Sequence, residues 1–290
     1  MKFSLQLLLL ETERAWAYAQ ELYQGSLQTR NADRAGTLRH SATGRFRRSV
    51  NWSTQLLSHC QTLYTSERFS AENLIQVTIY TLILNGRFLR YRDEFEDALP
   101  LLSVARSLLD ELAASATTSR DQALATMFSD EIGPEIRYCA HELGRQKAYD
   151  IDGIVAETAP AHKGRLVEGF DAQVAKLRTE SKASAQDASR KRLQAIFWER
   201  QPLSIRNPEL VDVLLKVQEA EAELRLRDQP LPGESLTDKK KRTKKENRTK
   251  KGVAAYDAIL LALSDAEDVA RKLKEAEQVR VHISPYLTRN

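Results

Sequence analysis

The chain has 290 residues, 42% apolar and 29% charged, with 44 Lys and Arg against 40 Asp and Glu, a formal net charge of +4. Such a composition folds around a core rather than staying disordered, and the length suits one large domain or two smaller ones. The 11 Gly and 8 Pro are too few for the turns of a β-sandwich or barrel, and two cysteines, Cys60 and Cys139, exclude a disulfide scaffold or a Cys-rich zinc site.

The predicted class is all-α. The opening run Leu5–Leu10 is too short for a signal or membrane segment, and Glu11, Glu13 and Arg14 follow it. Its apolar spacing continues through Trp16, Ala19, Leu22 and Tyr23, which predicts a helix over 4–24 closed by Gly25 and Ser26. No stretch approaches the roughly 18 apolar residues of a membrane span, so a soluble, cytoplasmic chain is expected. Residues 26–43 are polar and punctuated by Gly, and read as a loop. A second helix is predicted over 44–65, with Phe46, Val50, Ser53, Leu57, Cys60 and Tyr64 on its buried stripe. Arg45 and Arg48 lie off that stripe, on the flank towards the helix start.

Residues 74–84 hold eight apolar positions in eleven. Length and the absence of turn signals favour a helix buried all round over a buried strand. An amphipathic helix follows from Phe95 to Leu112, its start marked by Asp93 and Glu94, where acidic groups complement the helix dipole. The two fit one tetratricopeptide-like hairpin, with Gly86 between Leu82 and Leu89 on the first helix crossing Ala98, Leu102 and Ala105 on the second.

Further helices are predicted over 120–129 and 134–149, the second opened by Gly133-Pro134. Residues 150–159 read as a connection and 160–190 as a polar helix. The segment from Gln194 to Ile205, aromatic and β-branched around Pro202, reads as a small hairpin or an extended stretch. Asn207-Pro208-Glu209 opens a helix over 208–227 by the N-cap and first-turn rule. A last helix covers 254–279, and the helices at 208–227 and 254–279 are expected to pair.

Charge is concentrated in two windows. Lys239–Lys251 holds nine basic residues and one acid, among them Lys239, Lys240, Lys241, Arg242, Lys244 and Lys245. The other runs from Arg30 to Arg48 and carries Arg30, Arg34, Arg39, His40, Arg45, Arg47 and Arg48 against Asp33 alone. Outside them 29 Lys and Arg face 38 Asp and Glu. Local basic charge of this kind is what a polyphosphate partner requires, because each neutralised phosphate releases counterions. The lysine-rich window follows Pro230, Pro232 and Gly233 and reads as a solvated loop, a tail or localisation signal by default. The arginine window runs into a helix that can hold its guanidinium groups in place, and Arg presents a planar fork to phosphates and base edges.

Signs of catalysis are few. There is no P-loop and no GxGxxG, and the five histidines form no ligand pair at helical spacing. His59 and Cys60 are adjacent, so on a helix they point about 100° apart and do not face each other; a hydrolase using the two is a third reading, without an evident substrate. Glu219, Glu221 and Glu223 read as a solvated face. Neither an enzyme nor a cofactor is expected.

Two blocks are specific: Leu8-Leu9-Leu10-Glu11-Thr12-Glu13-Arg14-Ala15-Trp16-Ala17-Tyr18-Ala19 and Glu131-Ile132-Gly133-Pro134-Glu135-Ile136-Arg137-Tyr138-Cys139-Ala140. Both resemble the RNA-binding region of the 68-kilodalton subunit of the eukaryotic signal recognition particle, in the same order and at similar separation. Arg45-Phe46-Arg47-Arg48, the helix from Phe95 to Leu112, and Phe197-Trp198-Glu199 with Pro202 resemble segments there more loosely. The resemblance covers most of 5–228. It implies a tetratricopeptide-like domain that binds the particle's RNA near a helical junction, partnership with the 72-kilodalton subunit, and a role in co-translational targeting to the endoplasmic reticulum. It also implies a cytoplasmic location, with nucleolar passage during particle assembly. Family members carry an Arg/Tyr-rich helical segment before the Leu-rich helix, and their partner-binding region lies far downstream. This chain therefore reads as a fragment without either.

The expected organisation is a tetratricopeptide-like RNA-binding domain over 1–228, a basic flexible loop over 229–251, and a C-terminal helix within 252–290. Trp16, Tyr138 and Cys139 are expected to pack in the core. RNA contact is assigned to Arg39, His40, Arg45, Arg47 and Arg48, then Arg30 and Arg34, then the lysine-rich loop. The rival reading is a helical protein–protein scaffold whose basic patches meet acidic proteins or anionic membranes.

Overall fold

The structure, a computed structural model, describes residues 2–184, 192–203, 205–228 and 256–276. Its elements are helices α1 (Lys2–Leu27), α2 (Ala35–Thr65), α3 (Ala71–Tyr91), α4 (Phe95–Ser115), α5 (Ser119–Glu142), α6 (Ile151–Leu166) and α7 (Phe170–Ser184), strands β1 (Ile196–Trp198) and β2 (Gln201–Leu203), and helix α8 (Pro208–Asp228). A 3-10 segment, Thr29–Arg34, joins α1 to α2, and a last helix, α9, covers 256–276. Among the described residues the fold is all-α with one small antiparallel hairpin. Among the described residues no helix is long and apolar enough to cross a membrane.

The chain forms two compact units, one of residues 1–115 and 125–184, the other of 116–124 and 185–290. In the first, α3 is buried almost all round: Leu74, Ile75, Thr78, Ile79, Leu82, Ile83, Leu84 and Phe88 are all shielded. Its main core joins α3 and α4 to Ile132, Ile136 and Cys139 of α5, Ile154 and Val155 of α6, and Val174 and Leu177 of α7. The α3–α4 hairpin turns through Arg92 and Asp93, the latter at φ 61°. Gly86 lies against Leu102 and Ala98, the close approach that small residues at a helix crossing permit. The start of α3 is capped twice, by Ser70 Oγ accepting from Asn73 N at 3.3 Å and by Glu180 Oε2 accepting from Ala71 N at 3.0 Å.

Four boundaries differ from the sequence expectation. Residues 35–43 are the first turns of α2, not loop: Gly36, Thr37, Ser41 and Thr43 are weak helix formers, but Ala42 is wholly buried and clusters with Ala19 of α1. Packing outweighs propensity there. The Gly133-Pro134 pair lies inside one continuous helix, α5. Gly133 is buried where a Cβ would stand 3.3 Å from Ile151 and 3.6 Å from Arg106, so it serves close packing rather than a helix start. Residues 151–159 are helical, because Asp150 caps α6 by accepting from Gly153 N at 3.0 Å, and Gly153 leaves room for that carboxylate. The polar helix expected over 160–190 is broken at 167–169, where Gly169 turns at φ 68°.

In the second unit, β1 and β2 pair Ile196 with Leu203, Phe197 with Pro202 and Trp198 with Gln201. Glu199 and Arg200 at the turn both have positive φ, the requirement of a tight two-residue hairpin. Asn207 Oδ1 accepts from Glu209 N at 2.9 Å and Leu210 N at 3.1 Å, with Pro208 in the first turn, as predicted for the start of α8. Arg120 at the start of α5 pairs with Asp212 of α8 at 2.7 Å, and Val211 is buried.

Candidate nucleic-acid interface

The arginine window is carried by the α1–α2 hairpin, and that hairpin is tightly joined. Ala15, Ala19, Ala42, Ser49 and Ser53 are buried, so the two helices meet through small side chains. Ser49 Oγ donates to the Thr12 carbonyl at 2.9 Å, and Thr12 Oγ1 to the Leu8 carbonyl at 2.8 Å, which satisfies both hydroxyls inside the crossing. An aromatic cluster then ties the hairpin to α3. Trp16 meets Phe46 edge-on at 4.7 Å, Phe46 lies 4.8 Å from Tyr91, and Tyr23 meets Tyr91 edge-on at 4.8 Å. Such pairs hold a fixed geometry as well as burying area.

The connection is ordered by its own polar groups. Asn31 Nδ2 donates to the Gly25 carbonyl at 2.8 Å and Ser26 Oγ to the Tyr23 carbonyl at 2.6 Å. Arg30 and Arg34 are exposed here, in a segment that buries nothing. Arg30 Nε donates to Gln28 Oε1 at 2.8 Å, a neutral partner that leaves its charge in place.

On α2, successive residues are about 100° apart, and the buried stripe runs through Ala42, Phe46, Ser49 and Ser53. His40, Arg47 and Arg48 stand on the open side around Gly44, whose Cβ position has no atom within 4 Å. Arg39 lies at the α3 edge, its carbonyl accepting from the Tyr91 hydroxyl at 3.4 Å. Arg45 is half-buried on the opposite flank, its guanidinium carbon 4.9 Å from the centre of the Tyr18 ring. The structure therefore groups His40, Arg47 and Arg48 on one face, and spreads Arg39 and Arg45 to either side. Because α2 begins at Ala35, Arg45 and Arg48 stand in its body, not at its start.

Electrostatically, these side chains differ from the arginines that brace the fold. Arg87 of α3 bonds Glu135 and Glu131 of α5 at 2.9 and 3.0 Å, and Arg178 of α7 bonds Glu111 of α4 at 2.7 Å. Arg106 of α4 donates to the Ser129 carbonyl at 2.8 Å and lies near Asp110 and Asp152. Among the described residues, none of Arg30, Arg34, Arg39, Arg45, Arg47 and Arg48 is paired with a carboxylate. Lys239, Lys240, Lys241, Arg242, Lys244 and Lys245 lie outside the described residues.

Two residues of the quoted blocks behave differently from expectation. Tyr138 is not in the core: it is 46% exposed and meets Phe95 edge-on, whereas its neighbour Cys139 is wholly buried. Tyr18 was not among the expected contact residues, yet it is the aromatic under Arg45. Its position was readable, since Trp16 and Ala19 face the core and Tyr18 falls off that stripe. The thiols carry no sign of activation. Burial pushes the Cys60 thiol up and the Cys139 thiol up to about 11, so both stay protonated at neutral pH. Among the described residues no group of three or more His, Cys, Asp or Glu is arranged to hold a metal ion.

The family model described as RNA-binding signal recognition particle 68 matches residues 2–283. Two curated relatives are each called Signal recognition particle subunit SRP68. The one from Drosophila melanogaster is 26% identical over 217 residues, 74% of this chain and 32% of its own length. The one from Dictyostelium discoideum is 26% identical over 143 residues, 49% of this chain and 22% of its own. The match thus spans a third or less of the relatives' length. With a family match across nearly the whole sequence and the helical hairpins in place to carry it, this chain belongs to the RNA-binding signal recognition particle 68 family.

Proposed function

We propose that this chain is a non-enzymatic RNA-binding module of the signal recognition particle, which binds the particle's RNA at a helical junction and so supports co-translational targeting to the endoplasmic reticulum. The observation that carries the reading is the set of arginines on the α1–α2 hairpin that have no carboxylate partner among the described residues, against Arg87, Arg120 and Arg178, which carboxylates meet. Arg39, His40, Arg45, Arg47 and Arg48 provide the main contacts, and Arg30 and Arg34 extend them along the connection. The lysine-rich run from Lys239 to Lys251 adds sequence-independent attraction. Recognition is by backbone charge and junction shape, the usual mode for structured RNA.

In this reading residues 1–228 act as the RNA-binding part, 229–251 as a basic segment, and the C-terminal helix within 252–290 pairs with α8. The module works in the cytoplasm after nucleolar assembly, alongside the particle's 72-kilodalton subunit, and needs no cofactor. A gel-shift titration tests it, comparing a branched RNA with a plain duplex at matched ionic strength. The branched RNA binds more tightly, and joint replacement of Arg45, Arg47 and Arg48 by Ala weakens binding and flattens its salt dependence. Equal affinity for both RNAs refutes junction recognition and favours a scaffold with non-specific basic patches.

A further inference from the structure

We propose that Tyr18 and Arg45 form a stacking platform for one unpaired nucleobase of the bound RNA, with Arg48 taking the adjoining phosphate. The inference rests on the RNA-binding reading and adds to it a base contact where only charge and shape were invoked.

Tyr18 is 44% exposed. Unlike Trp16 and Tyr23, which pack into the aromatic cluster between α1, α2 and α3, it has no aromatic partner among the described residues. Over its ring lies the Arg45 guanidinium, with the carbon 4.9 Å from the ring centre. Arg45 in turn has no carboxylate partner among the described residues, so the planar cation is held by the ring and by its place on α2. An aromatic ring with a guanidinium laid over it offers flat π surface and positive charge together, the combination on which unstacked bases settle.

Three further features suit a ligand here. Both residues sit on helices locked by the buried Thr12–Ser49 contact and by Ala15, Ala19 and Ala42, so the platform is fixed before binding. Arg48, exposed and one turn along from Arg45, lies within reach of the next phosphate. Gly44, on the open face it shares with Arg48, has open space at its Cβ position, which leaves room for a sugar–phosphate chain to approach α2 beside Arg48.

The test uses the 290-residue chain and two probes. One is a branched RNA with an unpaired 2-aminopurine at its junction; the other is the same sequence closed into a plain duplex. The wild-type chain quenches the unpaired 2-aminopurine on binding. Tyr18→Leu lowers affinity for the branched RNA by roughly tenfold or more, loses the quench, and keeps the wild-type salt slope because no charge is removed. Tyr18→Phe keeps affinity and quench. Arg45→Lys keeps the salt slope but loses part of the quench, since an ammonium cannot stack. If Tyr18→Leu binds and quenches like wild type, or lowers only the melting temperature, the pair is a structural brace and the inference is overturned. If the wild-type chain binds neither RNA, the RNA-binding reading falls as well, a result distinct from tight binding without a quench.

Discussion

Gly86 of α3 lies so close to Leu102 of α4 that a Cβ on it would stand 2.8 Å from the leucine Cγ. Ala98, across the same crossing, brings its carbonyl oxygen within 3.6 Å of that point. The glycine therefore sets the distance between the two most buried helices of the first unit. Gly44 of α2 is its opposite, a helical glycine with nothing within 4 Å.

These two glycines respond in opposite directions to the same substitution. Gly86→Ala destabilises the fold by about 1–3 kcal/mol, because Leu102 must leave its rotamer or α4 must shift. Gly44→Ala stabilises it by about 0.5–1 kcal/mol through helix propensity and a less disordered unfolded chain. Urea denaturation of both variants checks the pair. A neutral Gly86→Ala would mean that the crossing is looser than the structure has it.

Arg87 holds two carboxylates on α5, and its own loss is worse than theirs. Glu131 and Glu135 are one turn apart, and both are partly shielded. Arg87→Ala leaves Glu131 without its partner and Glu135 with Arg90 at 3.7 Å, and costs about 1–3 kcal/mol. Glu131→Gln on top of Arg87→Ala recovers part of that loss by removing the charge left without its partner. Thermal melts of the two variants measure it, and additive losses would contradict the mechanism.

Alkaline pH weakens the fold through groups that burial keeps protonated. Cys139, pushed up to about 11, binds its proton more tightly folded than unfolded, where the thiol titrates near 9. Its contribution is complete below pH 9 and is lost as pH rises towards 11. Tyr80, half-buried and hydrogen-bonded to Glu13, is shifted in the same direction. Stability measured by urea denaturation thus falls from pH 9 to 10.5, and Cys139→Ala makes that fall shallower. An unchanged slope in the variant would assign the effect elsewhere.

Salt dependence separates the interface arginines from those that brace the fold. Removing Arg47 or Arg48, each exposed and without a carboxylate, lowers the log–log slope of RNA affinity against salt by about one. Removing Arg178, already neutralised by Glu111 at 2.7 Å, leaves the slope unchanged. Filter binding at several salt concentrations decides it. Equal effects from both sets would refute the assignment of the interface.

Periodicity and local chemistry made much of this molecule legible in advance. The apolar run at 74–84 could only be satisfied by burial all round. The small-residue pattern at Gly86, Ala98 and Ala105 announced a close crossing, and Asn207-Pro208 marked a helix start by its own hydrogen bonding. The segment before Gly44 has the Ser, Thr and Gly content of a loop and is helical because burial of Ala42 against α1 offsets that preference. Gly133-Pro134 has the local look of a helix start and lies inside α5 because its glycine answers to Ile151 and Arg106, distant in sequence.

For the candidate site, the amino-acid order alone determined where positive charge is concentrated and that a helix carries it, because charge density and helical period are local properties. Only the tertiary structure decided that those arginines have no carboxylate partner among the described residues. Ion pairs such as Arg87 with Glu135 or Arg178 with Glu111 join residues 48 and 67 positions apart, and no local pattern records them. The same holds for Tyr18 beneath Arg45: the two meet because two helices fold back on each other, and their contact exists only once the hairpin has closed.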